Sequence, residues 1–196
     1  MNVEKATNNI QTDRRQLLTA LSDGEKNEID LLLQHYPRAS GATIDALKIV
    51  QQYQGWVSDM AIAALAQYMR VPLAELDSVA TFYNLIFRRP VGATLIHPCN
   101  GISCQLLGCK KIQRQLETQL QISDGGTTTD GQITLLSLPC LGACDKAPVL
   151  LLRKSLRVES TGPMHCSDQL LENLNTRKIE LVINKLWGRR YERARS

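Results

Sequence analysis

Apolar residues recur at helical spacing through the first half of the chain and alternate with polar ones in the second, so the pattern predicts an α+β protein in two parts. Residues 1–21 are polar, lack caps and are expected to be loose. Ser22 and Glu25 form a capping box ahead of Ile29, Leu32 and Leu33 on a helix that Pro37 ends. A second helix runs from Thr43 through Ile44, Leu47 and Val50 to Gly55. Ser58 caps a third, with Met60, Ala63, Leu65, Ala66 and Met69 as its buried stripe. Pro72 opens a short fourth, and Asp77-Ser78 caps a fifth through Val79, Phe82, Tyr83, Ile86 and Phe87, whose aromatic rings, like Trp56, are expected to be core or domain-packing residues.

Arg88-Arg89-Pro90-Val91-Gly92 breaks the helical pattern and reads as a linker. Beyond it, Ala93–His97 is predicted as a strand, Ser103–Leu120 as a helix, Gln132–Leu138 as a second strand, and Pro148–Leu152 as a third that forms a hairpin with Ser155–Val158. Ser167 is expected to cap a final helix over Leu170, Leu171 and Leu174. The expected organisation is a loose segment over 1–21, a small helical bundle over 22–90, an α/β domain over 91–176 and a tail over 177–196.

Composition changes this picture little, because 43% apolar and 21% charged residues are ordinary for a globular protein. No apolar run approaches the roughly 20 residues that a spanning helix needs, so direct membrane insertion is not expected. Arg14-Arg15 is followed by too short an apolar stretch for an export signal. The net charge of +4 is segregated, with seven basic residues against two acidic ones over 177–196. That tail reads as a solvated extension whose removal after Asn175 leaves any cofactor undisturbed. Without a basic stripe carrying interleaved aromatics in the body, nucleic acid is not an expected partner.

The chemistry lies in the cysteines. Cys99 and Cys104 are spaced Cys-x4-Cys, Cys140 and Cys144 are spaced Cys-x3-Cys, and both pairs are expected just past the C-terminal ends of strands, where α/β sheets carry ligands. Thiolates paired in turns lined by small residues, here Gly101, Ser103, Gly142 and Ala143, suit a metal centre: zinc or an iron–sulfur cluster. A disulfide framework does not fit six cysteines in 196 residues without a secretory signal, and neither pair is the Cys-x-x-Cys of thiol redox catalysis. His35, His97 and His165 lack the spacing of a Rieske centre, and Cys109 and Cys166 are expected to pack as small apolar side chains. There is no Gly-x-Gly-x-x-Gly and no phosphate-binding loop, so no NADH or FMN site is expected on this chain.

Cys140-Leu-Gly-Ala-Cys144-Asp-Lys-Ala-Pro148-Val149, with the upstream Cys99 and Cys104, resembles the 24 kDa [2Fe-2S] subunits of respiratory complex I, the NADH:quinone oxidoreductase. Ile44–Val57 and Val79–Tyr83 resemble the helical signatures of the same family, and Gly108 matches a family glycine, whereas Cys109 departs from the alanine or serine expected next. The resemblance implies a thioredoxin-like α/β domain after the helical bundle. It also implies one [2Fe-2S] cluster on Cys99, Cys104, Cys140 and Cys144, with no catalytic residue of the chain's own. The implied role is electron transfer with the FMN of a partner NADH-binding subunit, among other peripheral-arm subunits, in the cytoplasm and peripheral to the inner membrane. The diaphorase subunits of NAD-linked hydrogenases and formate dehydrogenases are similar and would make an equivalent host. A zinc-stapled interaction module is the alternative from another class. Lys110, Lys111 and Lys146 are the cations placed to act on such a centre, the first two as plain solvent-exposed charges.

Overall fold

The structure is a computed structural model, and it describes residues 20–157 and 163–193. The segment expected to be loose thus lies almost wholly outside the described residues. The chain forms two compact units: one holds the described residues up to Pro90 with those of Arg157–His165, the other Val91–Leu156 and the residues from Cys166 on.

The first unit is helical: α1 (Asp23–Leu33), a short 3-10 turn (Ala39–Ala42), α2 (Thr43–Gln54), α3 (Asp59–Met69) and α4 (Leu73–Phe82). Local signals start and stop these helices. Ser22 and Glu25 cap α1 reciprocally, with the Ser22 N–H and hydroxyl donating to the Glu25 carboxylate at 2.6 and 2.7 Å. Ser22→Ala should therefore lower the unit's stability by about 1 kcal/mol, read as a drop in melting temperature. Left-handed Gly55 ends α2, and the Ser58 hydroxyl accepts from the Ala61 N–H to open α3. Ile29, Leu47, Val50, Ile62, Leu65 and Leu76 fill the core between the helices.

Three expectations fail here. The buried stripe of α3 is Ala61, Ile62, Ala64, Leu65, Ala66 and Met69, whereas Met60 is exposed; the alanine-rich helix offers several apolar phases, and packing selects one. The fourth and fifth helices are one, α4, which ends at Phe82 with Tyr83 already extended. Of the aromatic residues expected in the core or in domain packing, Phe82 and Tyr83 lie outside the core, 78% and 42% exposed with their rings edge to face at 5.3 Å, while Ile86 and Phe87 beyond the helix end are buried. Trp56 is half-buried. Arg88, read as linker, instead donates to the Val57 carbonyl at 2.6 Å and pairs with Asp59 and Asp77.

The second unit is built on a four-stranded sheet of order β2-β1-β3-β4, from β1 (Thr94–Pro98), β2 (Ile133–Leu135), β3 (Leu150–Arg157) and β4 (Met164–Leu171). Helices α5 (Ile102–Leu106) and α6 (Cys109–Leu120) connect β1 to β2, and α7 (Thr176–Arg193) follows β4. The helix expected over Ser103–Leu120 is thus two, divided at left-handed Gly108. β1 and β2 run parallel, Ile96 opposite Leu135, whereas β1 and β3 run antiparallel, Ile96 opposite Leu152. Ile96, Ile112, Leu116, Leu135, Leu150 and Ile179 make the core on the helix-covered side.

The C-terminal end departs most from expectation. The proposed final helix over Ser167–Leu174 is mostly strand β4: residues 166–170 are all exposed, so that stretch carries no period of burial, and pairing with β3 decides its conformation. The proposed hairpin partner Ser155–Val158 is largely the continuation of β3 itself. Nor is the described part of 177–196 a solvated tail, since α7 places Ile179 and Ile183 in the core. Its basic residues Arg177, Lys178 and Lys185 are exposed.

Candidate metal centre

The parallel pairing of β1 and β2 brings their C-terminal ends side by side, and the chain that leaves each end carries one cysteine pair. The alignment persists past the strands: Cys99 bridges Leu138, the Asn100 N–H donates to the Leu138 carbonyl at 2.9 Å and the Leu138 N–H to the Pro98 carbonyl at 3.0 Å. Cys99 therefore lies next to the stem of the loop that presents Cys140. Its thiol donates to the Pro139 carbonyl at 3.0 Å, across 40 positions of sequence.

Within the first pair, Cys104 is on α5 and faces inward. Cys99 and Cys104 are both buried and share a small cluster with Cys109, Ala147 and Val149. Burial pushes the Cys104 thiol up to about 11, and the neighbouring Cys99 adds to the rise. Cys140 and Cys144 are exposed, their sulfurs 3.5 Å apart. Gly142 is left-handed, which aims its N–H at the Cys140 sulfur at 3.4 Å and holds that thiol below its usual range. The Cys144 thiol is raised by its Cys140 neighbour, and the Ser103 hydroxyl of α5, working the other way, reaches it from the first pair's side.

These residues fit a binuclear thiolate-bound centre. Two thiolates on one tetrahedral metal, each at about 2.3 Å, stand about 3.8 Å apart, close to the 3.5 Å between Cys140 and Cys144. Among the described residues no group of three or more His, Cys, Asp or Glu is arranged as an ion site; what the loops present is pairs, and a two-iron cluster takes one pair on each iron. Gly101 marks the gap between the pairs. A Cβ there would lie 3.4 Å from the Cys99 sulfur, 3.4 Å from the Pro139 carbonyl oxygen and 3.6 Å from the Cys140 Cα, so any side chain would enter the space that joins them.

The other singled-out residues resolve as follows. Cys109 is buried, as expected, and forms part of the wall behind Cys99 and Cys104. Cys166 is exposed on β4 and does not pack as a core residue. His97 is fully buried in β1, its Nδ1–H directed at the Leu136 carbonyl at 2.8 Å, and burial holds its pKa below the usual imidazole range. Lys110 and Lys111 are exposed. Lys146 lies in the 3-10 turn Cys144–Lys146 and pairs with Glu172 at 2.9 Å. Sequence reasoning missed Glu172, Asn173 and Leu174, which reach that turn from the end of β4; no local pattern marks them.

Residues 29–186 match the thioredoxin-like [2Fe-2S] ferredoxin family. The E-type subunit of the NADH-quinone oxidoreductase of Pseudomonas aeruginosa is 43% identical over 146 residues, covering 74% of this chain and 86% of that protein. The Escherichia coli protein of the same name is 43% identical over 141 residues, covering 72% and 85%. Among solved structures, the NAD+-reducing [NiFe]-hydrogenase in its air-oxidized state aligns with a TM-score of 0.58 at 21% identity. That alignment covers 76% of this chain and 23% of the hydrogenase chain, so the likeness is one of fold over less than a quarter of a longer protein. With its thiol pairs at the ends of parallel strands, and with this match over most of its length, the chain belongs to the thioredoxin-like [2Fe-2S] ferredoxin family.

Proposed function

We propose that Cys99, Cys104, Cys140 and Cys144 hold one [2Fe-2S] cluster, and that the chain is an electron-transfer subunit of an NADH:quinone oxidoreductase. The observation that carries this reading is the convergence of the two thiol pairs where β1 and β2 end, with Cys140 and Cys144 at the separation of two ligands on one metal. When bound, such a cluster supplies a one-electron carrier. The chain's own residues do the rest. Buried Cys99 and Cys104 form the side closed to water, whereas exposed Cys140 and Cys144 form the side from which a partner can approach. The Gly142 N–H favours the thiolate form of Cys140 and would moderate the negative charge of a cluster held there.

The partner is the FMN- and NADH-binding subunit, alongside other peripheral-arm subunits, and the work is done in the cytoplasm at the face of the inner membrane. The relatives at 43% identity bear the name of that oxidoreductase, which favours it as the host. The equivalent diaphorase subunit of an NAD-linked hydrogenase is the second reading, and the shared fold supports it. Among the described residues no helix is long and apolar enough to cross a membrane. Exposed Phe82, Tyr83 and Leu85 at the end of α4 form an apolar surface suited to docking.

The test uses the purified full-length protein. It should be red-brown and contain iron and acid-labile sulfide in equal amounts; zinc without sulfide would overturn the assignment. Mixed anaerobically with NADH, it should stay oxidised, and the flavoprotein subunit should then allow its reduction. Rapid reduction by NADH in the absence of flavoprotein would place a nucleotide site on this chain and refute the division of labour.

A further inference from the structure

We infer that Glu172, Asn173 and Leu174, anchored by α7, form a clasp that positions the second cysteine pair for ligation. The inference rests on the ligand assignment above. The loop that carries Cys140 and Cys144 is exposed, and the 3-10 turn at Cys144–Lys146 is closed by the Lys146 N–H to the Ala143 carbonyl at 3.1 Å and the Ala147 N–H to the Cys144 carbonyl at 3.4 Å. One such turn does not hold its own shape in water. Three bonds arrive from the end of β4. The Asn173 N–H donates to the Lys146 carbonyl at 2.8 Å, the Leu174 N–H donates to the Pro148 carbonyl at 2.9 Å, and the Lys146 ammonium pairs with the Glu172 carboxylate at 2.9 Å.

The clasp itself is fixed. Asn173 is left-handed, with φ at 49°, so the chain turns sharply where it meets the loop. Lys178 of α7 donates through its Nζ to the Glu172 carbonyl at 3.2 Å and through its N–H to the Asn175 side chain at 2.9 Å. Leu174 and Ile179 are buried in the sheet's core. Holding Lys146 against Glu172 also pairs the cation that lies two positions after Cys144 in the chain. Glu172 and Asn173 are thus positioning residues, acting on the centre through Lys146 and the turn.

The test uses the holoprotein with full chain length and reads three quantities: the rate of iron loss to a chelator, the midpoint potential by EPR-monitored titration, and the melting temperature. Glu172→Gln keeps the backbone bonds and frees the ammonium. Because the ion pair is partly exposed, iron loss should quicken by only about two- to fivefold, while the potential moves positive, since an unneutralised cation favours the reduced centre. Asn173→Pro removes a donor and forbids the left-handed turn, so iron loss should quicken by about tenfold or more. Asn173→Gly keeps both the N–H and the turn and should match the parent protein. The charge-swapped double variant Lys146→Glu with Glu172→Lys should restore iron retention. Parental iron loss and potential in both Glu172→Gln and Asn173→Pro would overturn the clasp. Should Asn173→Pro fail to fold, an unmoved potential in Glu172→Gln would overturn it alone. A parent protein that holds no iron and sulfide would instead refute the ligand assignment on which the clasp depends.

Discussion

Replacing any one of Cys99, Cys104, Cys140 and Cys144 by serine should lose or badly disturb the visible spectrum and the bound iron, whereas Cys109→Ser and Cys166→Ser should keep both. In a four-ligand metal site worth about 10–16 kcal/mol, removing one thiolate weakens binding by several orders of magnitude. The two pairs should not respond alike. Cys99 and Cys104 are buried, so a serine there leaves a poor ligand in a place water does not reach. Cys140 and Cys144 are exposed, and solvent can fill part of the vacated position. The sharper losses are thus expected at Cys99 and Cys104, measured as iron per chain after purification. Cys109 touches the same cluster of side chains but packs as wall, and its substitution should cost only packing. Full iron and an unaltered spectrum after loss of any of the four would end the assignment.

Ending the chain after Asn175 should yield a protein whose second unit does not fold and which is colourless. Charge alone argued the opposite, that 177–196 is dispensable. Yet Ile179 is 0% exposed and belongs to one core with Ile96, Leu116 and Leu150. Replacing a single buried isoleucine by alanine costs about 2–5 kcal/mol, against a total stability of about 5–15 kcal/mol for a domain. Deleting the helix removes Ile183 as well and uncovers the apolar face of the sheet. Ile179→Ala is the graded version, expected to lower the melting temperature while leaving the spectrum of the folded fraction intact. A truncated protein that keeps both its colour and its melting temperature would show that α7 is ornamental to this core.

The sequence was most legible where chemistry is local. The cysteine pairs, the capping box at Ser22 and Glu25, the cap at Ser58 and the stop at Gly55 each depend on residues within a few positions of one another. The strand–helix–strand order from β1 to β2 was legible too, and it already placed both cysteine pairs at strand ends. It failed where two readings share the same residues. Ser167-Asp168 can cap a helix or sit in an edge strand, and Asp168 in fact faces Arg153 across the β3–β4 pair, both carboxylate oxygens accepting at 2.8 Å. Phe82 and Tyr83 continue the period of α4 but lie where the helix stops, so the face that would have buried them is never formed.

By itself, then, the sequence determined the spacing of the two cysteine pairs and the order of a helical part before an α/β part, because thiol spacing, caps and breakers exert their effect over one or two turns of backbone. Only the tertiary structure decided that the C-terminal segment is a strand and a core helix rather than a helix and a tail. The same is true of the reach of Glu172 and Asn173 to the turn that bears Cys144. The reason is that an edge strand and a covering helix take their conformation from the partner they pair with or bury. That partner, β3 for one and the sheet's apolar face for the other, is assembled from residues far away in the chain.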